Sequence, residues 1–388
     1  MSELILIIFF ISILLFFLGT GVWVAISMIG VSTIGMMLFT SRPVGDAMAT
    51  TIWGTSSSWT LTALPLFVWM GEILFRTKLS KNLFEGLSPW MQKLPGGLIH
   101  VNVVGCALFA AISGSSAATV ATVGKMSIPE LRKRKYPEKI LLGSLAGSGT
   151  LGLLIPPSII LIIYGVTVQE SIAKLFIAGI LPGIMIAVIF MLYVVFWSLF
   201  NKKIMPKSFE NFSFLQKIKK SKQLIPVIAL ILAVIGSIYA GIATATEAAS
   251  LGVVGALVLS YFQKSLNLKT FKESLLGATK TSCMIAFILA GSSFLSLAMG
   301  FTGLPRNLAI WIQNMDLSPY ILIFVLMIFY IILGMFLDGI SAVVLTMAII
   351  EPMIRQAGFD MIWFGIFLVI VVEMAQITPP VGFNLFVL

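Results

Sequence analysis

The stretch Ser113-Gly114-Ser115-Ser116-Ala117 interrupts a long apolar segment, and a similar stretch, Asp338-Gly339-Ile340-Ser341-Ala342, interrupts another in the second half of the chain. Each is followed by a double proline, in Ile155-Pro156-Pro157-Ser158 and in Thr378-Pro379-Pro380-Val381. Both landmarks recur at nearly one offset, since 339 − 114 = 225 and 379 − 156 = 223. Glycine- or proline-interrupted hydrophobic segments at corresponding positions of two halves indicate the binding site of a secondary transporter. The sequence therefore predicts a duplicated membrane unit with paired broken segments.

The composition is that of an integral membrane protein. Hydrophobic residues make up 59% of the 388 residues and charged residues only 10%, whereas soluble proteins carry roughly 25% charged residues. This length leaves room for on the order of ten spans of about 20 residues each. The first apolar stretch, Leu4 to Thr40, contains no charge and is broken at Gly19-Thr20-Gly21. It predicts two helices rather than a cleaved signal peptide.

The basic residues indicate the membrane topology. The net charge of +10 comes from short segments between apolar spans, which is the positive-inside pattern rather than a nucleic-acid-binding face. Three such segments, 125–139, 202–222 and 264–280, are separated by even numbers of predicted crossings. We assign all three to the cytoplasmic side and the N-terminus to the periplasm. The predicted surroundings are a lipid bilayer, with no nucleic-acid partner.

Two apolar segments that begin and end on one side of the membrane are predicted re-entrant helical hairpins. The first, Gly97 to Gly124, lies between Lys93 and Lys125 on the basic side. The second, Pro319 to Ile350, lies between lysine-poor segments, is broken at Asp338-Gly339, and enters from the opposite face. The predicted fold class is an all-α integral membrane protein with an inverted repeat, two hairpins and broken helices. Because non-helical backbone at membrane depth needs a polar cavity or protein partners, the breaks imply a shared polar site.

The repeat divides the chain into five predicted parts. These are scaffold helices and a first arm (1–96), the first hairpin with its broken helix (97–166), a linker with the second set of scaffold helices (167–302), a second arm (303–318), and the second hairpin with its broken helix (319–388). The two hairpin parts together form the predicted transport domain. We expect one more helix after Leu388.

Six fragments, in the correct order, resemble the large membrane subunit (M subunit) of the tripartite ATP-independent periplasmic (TRAP) transporters. They are residues 70–74, 112–118, 152–159, 241–249, 334–339 and 378–386. The chain departs from the family in having Thr244-Ala245-Thr246-Glu247 in place of Thr-Pro-Thr-Glu, Met347 where a proline is frequent, and Ala375 where many members have a nearby glycine. Residues 373–388 resemble the sialic acid transporters of this family.

The resemblance implies an elevator-type, sodium-coupled importer of an organic acid, with sialic acid as the first choice of substrate. It also implies a small four-helix membrane subunit, a periplasmic substrate-binding protein that docks on the outer face, and a place in the bacterial inner membrane. About two or more sodium ions would be co-transported, held at helix breaks by hydroxyls and unwound carbonyls.

By the same resemblance, one sodium ion binds between the first hairpin tip and the first Pro-Pro break, and another between the second tip and the second break. The predicted sodium residues are Ser113, Gly114, Ser115, Thr150, Gly152 and Pro156 for the first site, and Asp338, Gly339, Ser341, Thr378 and Pro379 for the second. The predicted substrate-binding residues are Ser116, Thr119, Pro157, Ser158, Gln376, Pro380 and Asn384. Asp338 is a candidate cation ligand or a helix N-cap, and the residues leave both open.

Other charged and titratable residues have less specific interpretations. Glu247 follows two threonines at the start of an apolar helix, which favours a capping role. Glu72 and Glu373 are interpreted either as partners of basic residues in the small subunit or as residues near an interface. His100, the single histidine, is interpreted as a packing residue of the first hairpin.

Two rival functions remain. A stand-alone sodium/dicarboxylate symporter would share the inverted hairpins and need no binding protein. An intramembrane serine protease would use Ser113 or Ser115 with His100, although a duplicated site is unnecessary for proteolysis. An ATP-driven pump is unsupported because the sequence has no G-x-x-x-x-G-K-[ST] loop and no soluble domain. The chain is therefore predicted to be a transporter and not an enzyme.

Overall fold

The computed structural model describes residues 3–77, 79–206, 212–303, 307, 310, 318–380 and 382–388. The regular elements of this part are helices. The first half contains α1 (Glu3–Gly19), α2 (Val24–Phe39), α3 (Val44–Ser56), α4 (Ala63–Phe75), α5 (Leu79–Met91), α6 (Ile99–Ser113), α7 (Ser116–Lys133), α8 (Glu138–Gly149), α9 (Leu151–Leu154) and α10 (Ile159–Thr167). A linker contains α11 (Ile172–Phe200) and α12 (Phe214–Ser221). The second half contains α13 (Ile225–Tyr239), α14 (Ala245–Phe262), α15 (Leu268–Thr302), α16 (Pro319–Gly334), α17 (Gly339–Gln356), α18 (Met361–Gln376) and α19 (Phe383–Val387).

Several of the helices have the length and apolarity of membrane spans. Among the described residues, 5 helical segments are long and apolar enough to cross a membrane, or up to 7 if each bent pair counts as one span. One bent pair joins α3 to α4 through a 3₁₀ turn at Trp59–Thr62, with a bend of 53°. The predicted break in the first apolar stretch is confirmed, since α1 ends at Gly19 and Gly21 has a φ of +79°.

The two halves pack as related repeats. By their order in the chain, α13, α14 and α15 correspond to α1, α2 and the bent pair α3–α4, and α16 to α19 correspond to α6, α7, α8 and α10. The halves exchange equivalent partners: α2 packs on α15 and α14 on α4, while α10 packs on α17 and α19 on α7. Such exchange is expected of a pseudo-two-fold repeat. The predicted repeat with two hairpins and two broken helices is therefore confirmed.

The helix starts give the register between the repeats. α17 begins 223 residues after α7, since 339 − 116 = 223, and α18 begins 223 residues after α8, since 361 − 138 = 223. The offset of 225 taken from the two polar stretches is therefore wrong by two residues. The first tip reverses at Gly114 in the left-handed region (φ +59°) before the N-cap Ser115, whereas Asp338 itself is the second N-cap. The equivalent residues are thus Ser115 and Asp338.

The hairpins pack beside their broken helices. α6 packs on both α7 and α8, and α16 packs in the same way on α17 and α18. The first predicted arm contains α5, which contacts α12 and the first hairpin. The second predicted arm, 303–318, lies outside the described residues except at positions 303, 307, 310 and 318. The division into a scaffold and a transport domain stays a prediction.

Candidate functional site

The first hairpin tip rests directly on the first break. Ser115 caps α7, because Ala118 N donates to Ser115 Oγ at 3.5 Å. Across the contact, Ile159 N donates to Gly114 O at 3.3 Å. A Cβ added to Gly152 would lie 2.6 Å from Ser115 O, so only glycine permits this approach. The structure therefore brings Gly114, Ser115 and Gly152 together, as the sequence predicts.

Hydroxyl and carbonyl oxygens gather at the first tip. Ser113 Oγ lies 2.8 Å from Thr119 Oγ1, and Thr119 Oγ1 also donates to Ser115 O at 2.8 Å. Thr150 donates its own hydroxyl to Gly147 O, while its carbonyl accepts from Ser116 Oγ at 3.5 Å. Neutral oxygens of this kind suit a hard cation. Within the described residues no three His, Cys, Asp or Glu side chains cluster as metal ligands.

Only one residue of the first double proline, Pro157, faces the first hairpin tip. Pro157 O would lie 2.9 Å from a Cβ on Gly114. The ring of Pro156 lies instead near Gly179 of α11. Ser158 caps α10, accepting from Leu161 N at 3.3 Å and donating its hydroxyl to a carbonyl of α9. The Ser158 hydroxyl, which the sequence predicted to bind substrate, thus forms hydrogen bonds to nearby backbone groups instead.

The second tip is seated on the second broken helix. Asp338 Oδ2 accepts from Ile340 N and Ser341 N, each at 3.1 Å, which is N-cap geometry. A Cβ on Gly339 would lie 2.5 Å from Gln376 Nε2. Ser341 and Gln376 are 2% and 3% exposed. The structure therefore brings the sodium candidates Asp338, Gly339 and Ser341 together at the tip and places Gly339 against the substrate candidate Gln376, with Asp338 half-buried.

The remaining predicted residues, at and after the second break, have different surroundings from one another. Thr378 donates its hydroxyl to Met374 O at 2.7 Å, and Pro379 and Pro380 are exposed. Asn384 is 0% exposed, and neither its Nδ2 nor its Oδ1 has a hydrogen-bond partner among the described residues. Its helix, α19, packs on α7 of the first hairpin. An unpaired buried amide is costly unless a ligand or water satisfies it.

Sequence reasoning missed Glu373 as a site residue. This carboxylate is 4% exposed, and its Oε1 accepts from Ser116 Oγ at 2.6 Å. The contact joins the first hairpin to the second broken helix. The sequence analysis placed Glu373 near a subunit interface and did not predict this contact. Glu72 behaves differently and pairs with Arg76. One signal in the sequence could have found Glu373: an ionisable residue at membrane depth, close before a helix break.

The predicted capping role of Glu247 is confirmed. The positions of His100 and the tip serines, in turn, do not fit a serine protease. Thr244 N donates to Glu247 Oε2 at 2.8 Å in a capping box. His100 Nε2 lies 2.7 Å from Pro95 O at the base of the first hairpin. His100 and Ser113 lie near opposite ends of α6, about 20 Å apart by helical rise. The histidine cannot activate a serine of the tip.

Known proteins match along almost the whole chain. The model of the family "Tripartite ATP-independent periplasmic transporter, DctM component" matches residues 10–388. The chain is 33% identical over 353 residues to the C4-dicarboxylate TRAP transporter large permease protein DctM of Pseudomonas aeruginosa, covering 91% of this chain and 82% of that protein. It is 32% identical over 342 residues to the 2,3-diketo-L-gulonate TRAP transporter large permease protein YiaN of Escherichia coli, covering 86% and 78% respectively.

Two further comparisons concern a longer relative and a solved structure. The isethionate TRAP transporter permease protein DctMQ of Oleidesulfovibrio alaskensis is 30% identical, and the match covers 96% of this chain and 58% of that protein. The YdaH transporter of Alcanivorax borkumensis has a similar fold, with a TM-score of 0.61 at 10% identity over 88% of this chain and 79% of that one. With its hairpin tips seated on its broken helices and a family match from residue 10 to the end, this chain belongs to the DctM family, the multi-pass large permeases of tripartite ATP-independent periplasmic transporters.

Proposed function

We propose that this chain imports an organic acid together with sodium ions by an elevator movement, and that a periplasmic binding protein delivers the acid. The observation that carries the proposal is the seating of each capped hairpin tip on a helix break, with the repeats joined by the 2.6 Å contact between Ser116 and Glu373. Paired breaks of this kind supply the carbonyls for cations and the helix N-termini for an anion.

The residues divide into cation and substrate candidates. At the first tip, Ser113 and Ser115 with the backbone of Thr150 and Gly152 are the sodium candidates, and Pro156 contributes only through its backbone. At the second tip the sodium candidates are Asp338, Gly339 and Ser341, with Thr378 and Pro379 of the break.

The main substrate candidates are buried polar residues of the hairpins and broken helices. Ser116, Thr119 and Gln376 are buried beside the breaks, and the unpaired amide of Asn384 has both a donor and an acceptor to offer. The N-terminus of α7 favours a carboxylate through its partial positive charge, whereas the first N–H groups of α17 already donate to Asp338. Sodium binding would order the tips and complete the anion site. Coupling then requires that the sodium-loaded domain without substrate move poorly.

The partners proposed are a small four-helix membrane subunit and a periplasmic substrate-binding protein. The relative named DctMQ is longer than this chain, which supports a second membrane component beside the permease. The proposed location is the bacterial inner membrane, with the N-terminus in the periplasm.

The relatives support an organic anion as the substrate class. Their names give C4-dicarboxylates, isethionate and 2,3-diketo-L-gulonate. The choice of sialic acid as the first candidate depends only on the resemblance of residues 373–388 to the sialic acid transporters of this family. It stays a prediction within the wider class of organic acids.

Uptake into proteoliposomes tests the proposal. Vesicles would contain this chain and its small subunit, and radiolabelled sialic acid, succinate and isethionate would be offered with and without the binding protein and an inward sodium gradient. We expect uptake of one acid that needs both. Uptake that needs sodium but no binding protein would favour the stand-alone symporter, and uptake without a sodium gradient would contradict sodium coupling.

A further inference from the structure

Glu373 is a buried acid without a visible counter-charge. It lies on α18, is 4% exposed, and accepts one hydrogen bond, from Ser116. Its second carboxylate oxygen, Oε2, has no hydrogen-bond partner, and no lysine or arginine of the described residues pairs with it. An ionised carboxylate buried in this way costs far more free energy than one hydrogen bond returns. If Glu373 is ionised, a positive species is therefore required beside it; otherwise the group holds a proton.

Other oxygens close to Glu373 are suited to a small cation. Ser116 Oγ contacts Glu373 Oε1 at 2.6 Å and the carbonyl oxygen of Thr150 at 3.5 Å. These oxygens come from the start of α7, the end of α8 and the last turns of α18. The Thr150 carbonyl also accepts from Leu153 N at 3.3 Å, and a carbonyl oxygen has a second lone pair for an ion. A carboxylate, a hydroxyl and a carbonyl form a ligand set for a hard ion such as sodium.

The internal repeat gives the same position independent support. Glu373 is the equivalent of Thr150, because 373 − 150 = 223, the offset between the helix starts of the two repeats. The Ser116 hydroxyl therefore contacts one position from both repeats at once. An ion held there would bind the first hairpin to the second broken helix. It would also lie one helical turn from Gln376, a predicted substrate residue.

We propose that Glu373 is a cation ligand, and that its free carboxylate oxygen, the Ser116 hydroxyl and the Thr150 carbonyl hold one sodium ion between the two repeats. The inference rests on the proposed sodium coupling, moves Ser116 from the substrate candidates to the cation ligands, and adds a charged ligand from the opposite half of the chain. With the ion bound, the charge of Glu373 is paired with sodium, and the ion holds the two halves together. Without the ion, the unpaired charge of Glu373 disfavours the contact between the first hairpin and the second broken helix.

The experiment measures sodium-dependent thermal unfolding of the purified permease with its small subunit. Sodium chloride replaces choline chloride at constant ionic strength, with no substrate present, so the readout does not depend on transport. A ligand that binds the folded state raises the unfolding temperature with its concentration. Glu373→Gln keeps the size and the acceptor for Ser116 but removes the charge. We expect its half-saturating sodium concentration to rise about tenfold or more.

Controls separate the possible outcomes. Glu138→Gln, at an exposed carboxylate paired with Arg132, is expected to respond to sodium like the unaltered protein. An unchanged response in Glu373→Gln would overturn the inference and would indicate that Glu373 holds a proton instead. If the unaltered protein itself shows no response to sodium, both this inference and the proposed sodium coupling fail.

A second pair of variants covers a folding defect in Glu373→Gln. Glu373→Asp keeps the charge on a shorter side chain, and Ser116→Ala removes the hydroxyl without adding volume. Each is expected to raise the half-saturating sodium concentration. Unaltered values in both would overturn the inference in the same way.

Discussion

Gly152 is the residue on which the first tip depends most directly. A Cβ there would lie 2.6 Å from Ser115 O and 2.7 Å from Ser116 Cα, which are backbone atoms that cannot rotate away. We expect Gly152→Ala to lower stability by about 1–3 kcal/mol through overpacking, and to lower sodium-dependent uptake about tenfold because the tip is displaced. Thermal unfolding and proteoliposome uptake measure the two effects.

Gly143 is the matched control for Gly152. It lies in the preceding helix, α8, and a Cβ there meets nothing within 4 Å. Gly143→Ala should leave uptake intact and hold or slightly raise stability, since alanine is favoured over glycine in helices by roughly 0.5–1 kcal/mol. Equal effects of the two substitutions would contradict the assigned role of Gly152.

Asp338 offers a separate test of charge against capping. Its Oδ2 caps α17, and Asp338→Asn retains an acceptor for the same two N–H groups while removing the charge. If Asp338 also binds the second sodium ion, the variant should fold normally but need about tenfold more sodium for half-maximal uptake. A sodium dependence equal to that of the unaltered protein would assign to Asp338 the capping role alone.

At the scale of elements, the second hairpin and its broken helix are held close by two small residues. The family often has a glycine near Ala375, and this chain places Gly334 opposite: a Cβ on Gly334 would lie 2.6 Å from Ala375 Cβ. The small residue on α16 therefore makes room for the methyl group on α18. The departure from the family pattern leaves the helix contact intact.

Substitutions of Ala375 test this contact between α16 and α18. We expect Ala375→Gly to keep uptake within about twofold, because the close contact is retained. Ala375→Val should push the helices apart and cost about 1–3 kcal/mol of stability, with a matching loss of uptake. Thermal unfolding of both variants, compared with uptake, checks the prediction. Tolerance of valine would show that the helices are not tightly packed there.

At the scale of the whole molecule, the predicted scaffold packs on the predicted transport domain at both hairpins, since α4 contacts α6 and α15 contacts α17, and two clefts lie between other elements. A cleft of about 910 Å³ is lined by residues of α3, α14, α15 and the turn between α10 and α11. A second cleft of about 670 Å³ lies between α5 and α7. Such clefts leave room for one part to move against the other, as an elevator movement needs.

Gly71 of α4 tests that movement. A Cβ there would lie 3.1 Å from Ile112 O and 3.4 Å from Ser113 Cα, where the predicted scaffold contacts the first hairpin. We expect Gly71→Leu to reduce uptake about tenfold or more while sodium still raises the unfolding temperature. Gly54→Leu, at a position of α3 where a Cβ meets nothing within 4 Å, is the control. Full uptake in Gly71→Leu would contradict sliding at this surface.

The sequence by itself determined the membrane class, the two halves, the hairpins with their tips, and the capping role of Glu247, and it offered capping as one of two roles for Asp338. These features depend on local chemistry: runs of apolar residues, basic segments between spans, glycines and prolines that break helices, and side chains that cap the next turn. Each can be read from neighbouring residues. The family resemblance could be recognised for the same reason, because four of its six motifs lie at these breaks.

Only the tertiary structure decided which distant groups meet. It corrected the register of the repeats by two residues, turned Pro156 and Ser158 away from the tip, and placed Asn384 on the opposite hairpin's side of the site. It also brought Glu373 to Ser116, across 257 residues of chain. Such contacts depend on how helices cross and rotate against each other. In a uniformly apolar segment, the sequence carries little periodic signal for either.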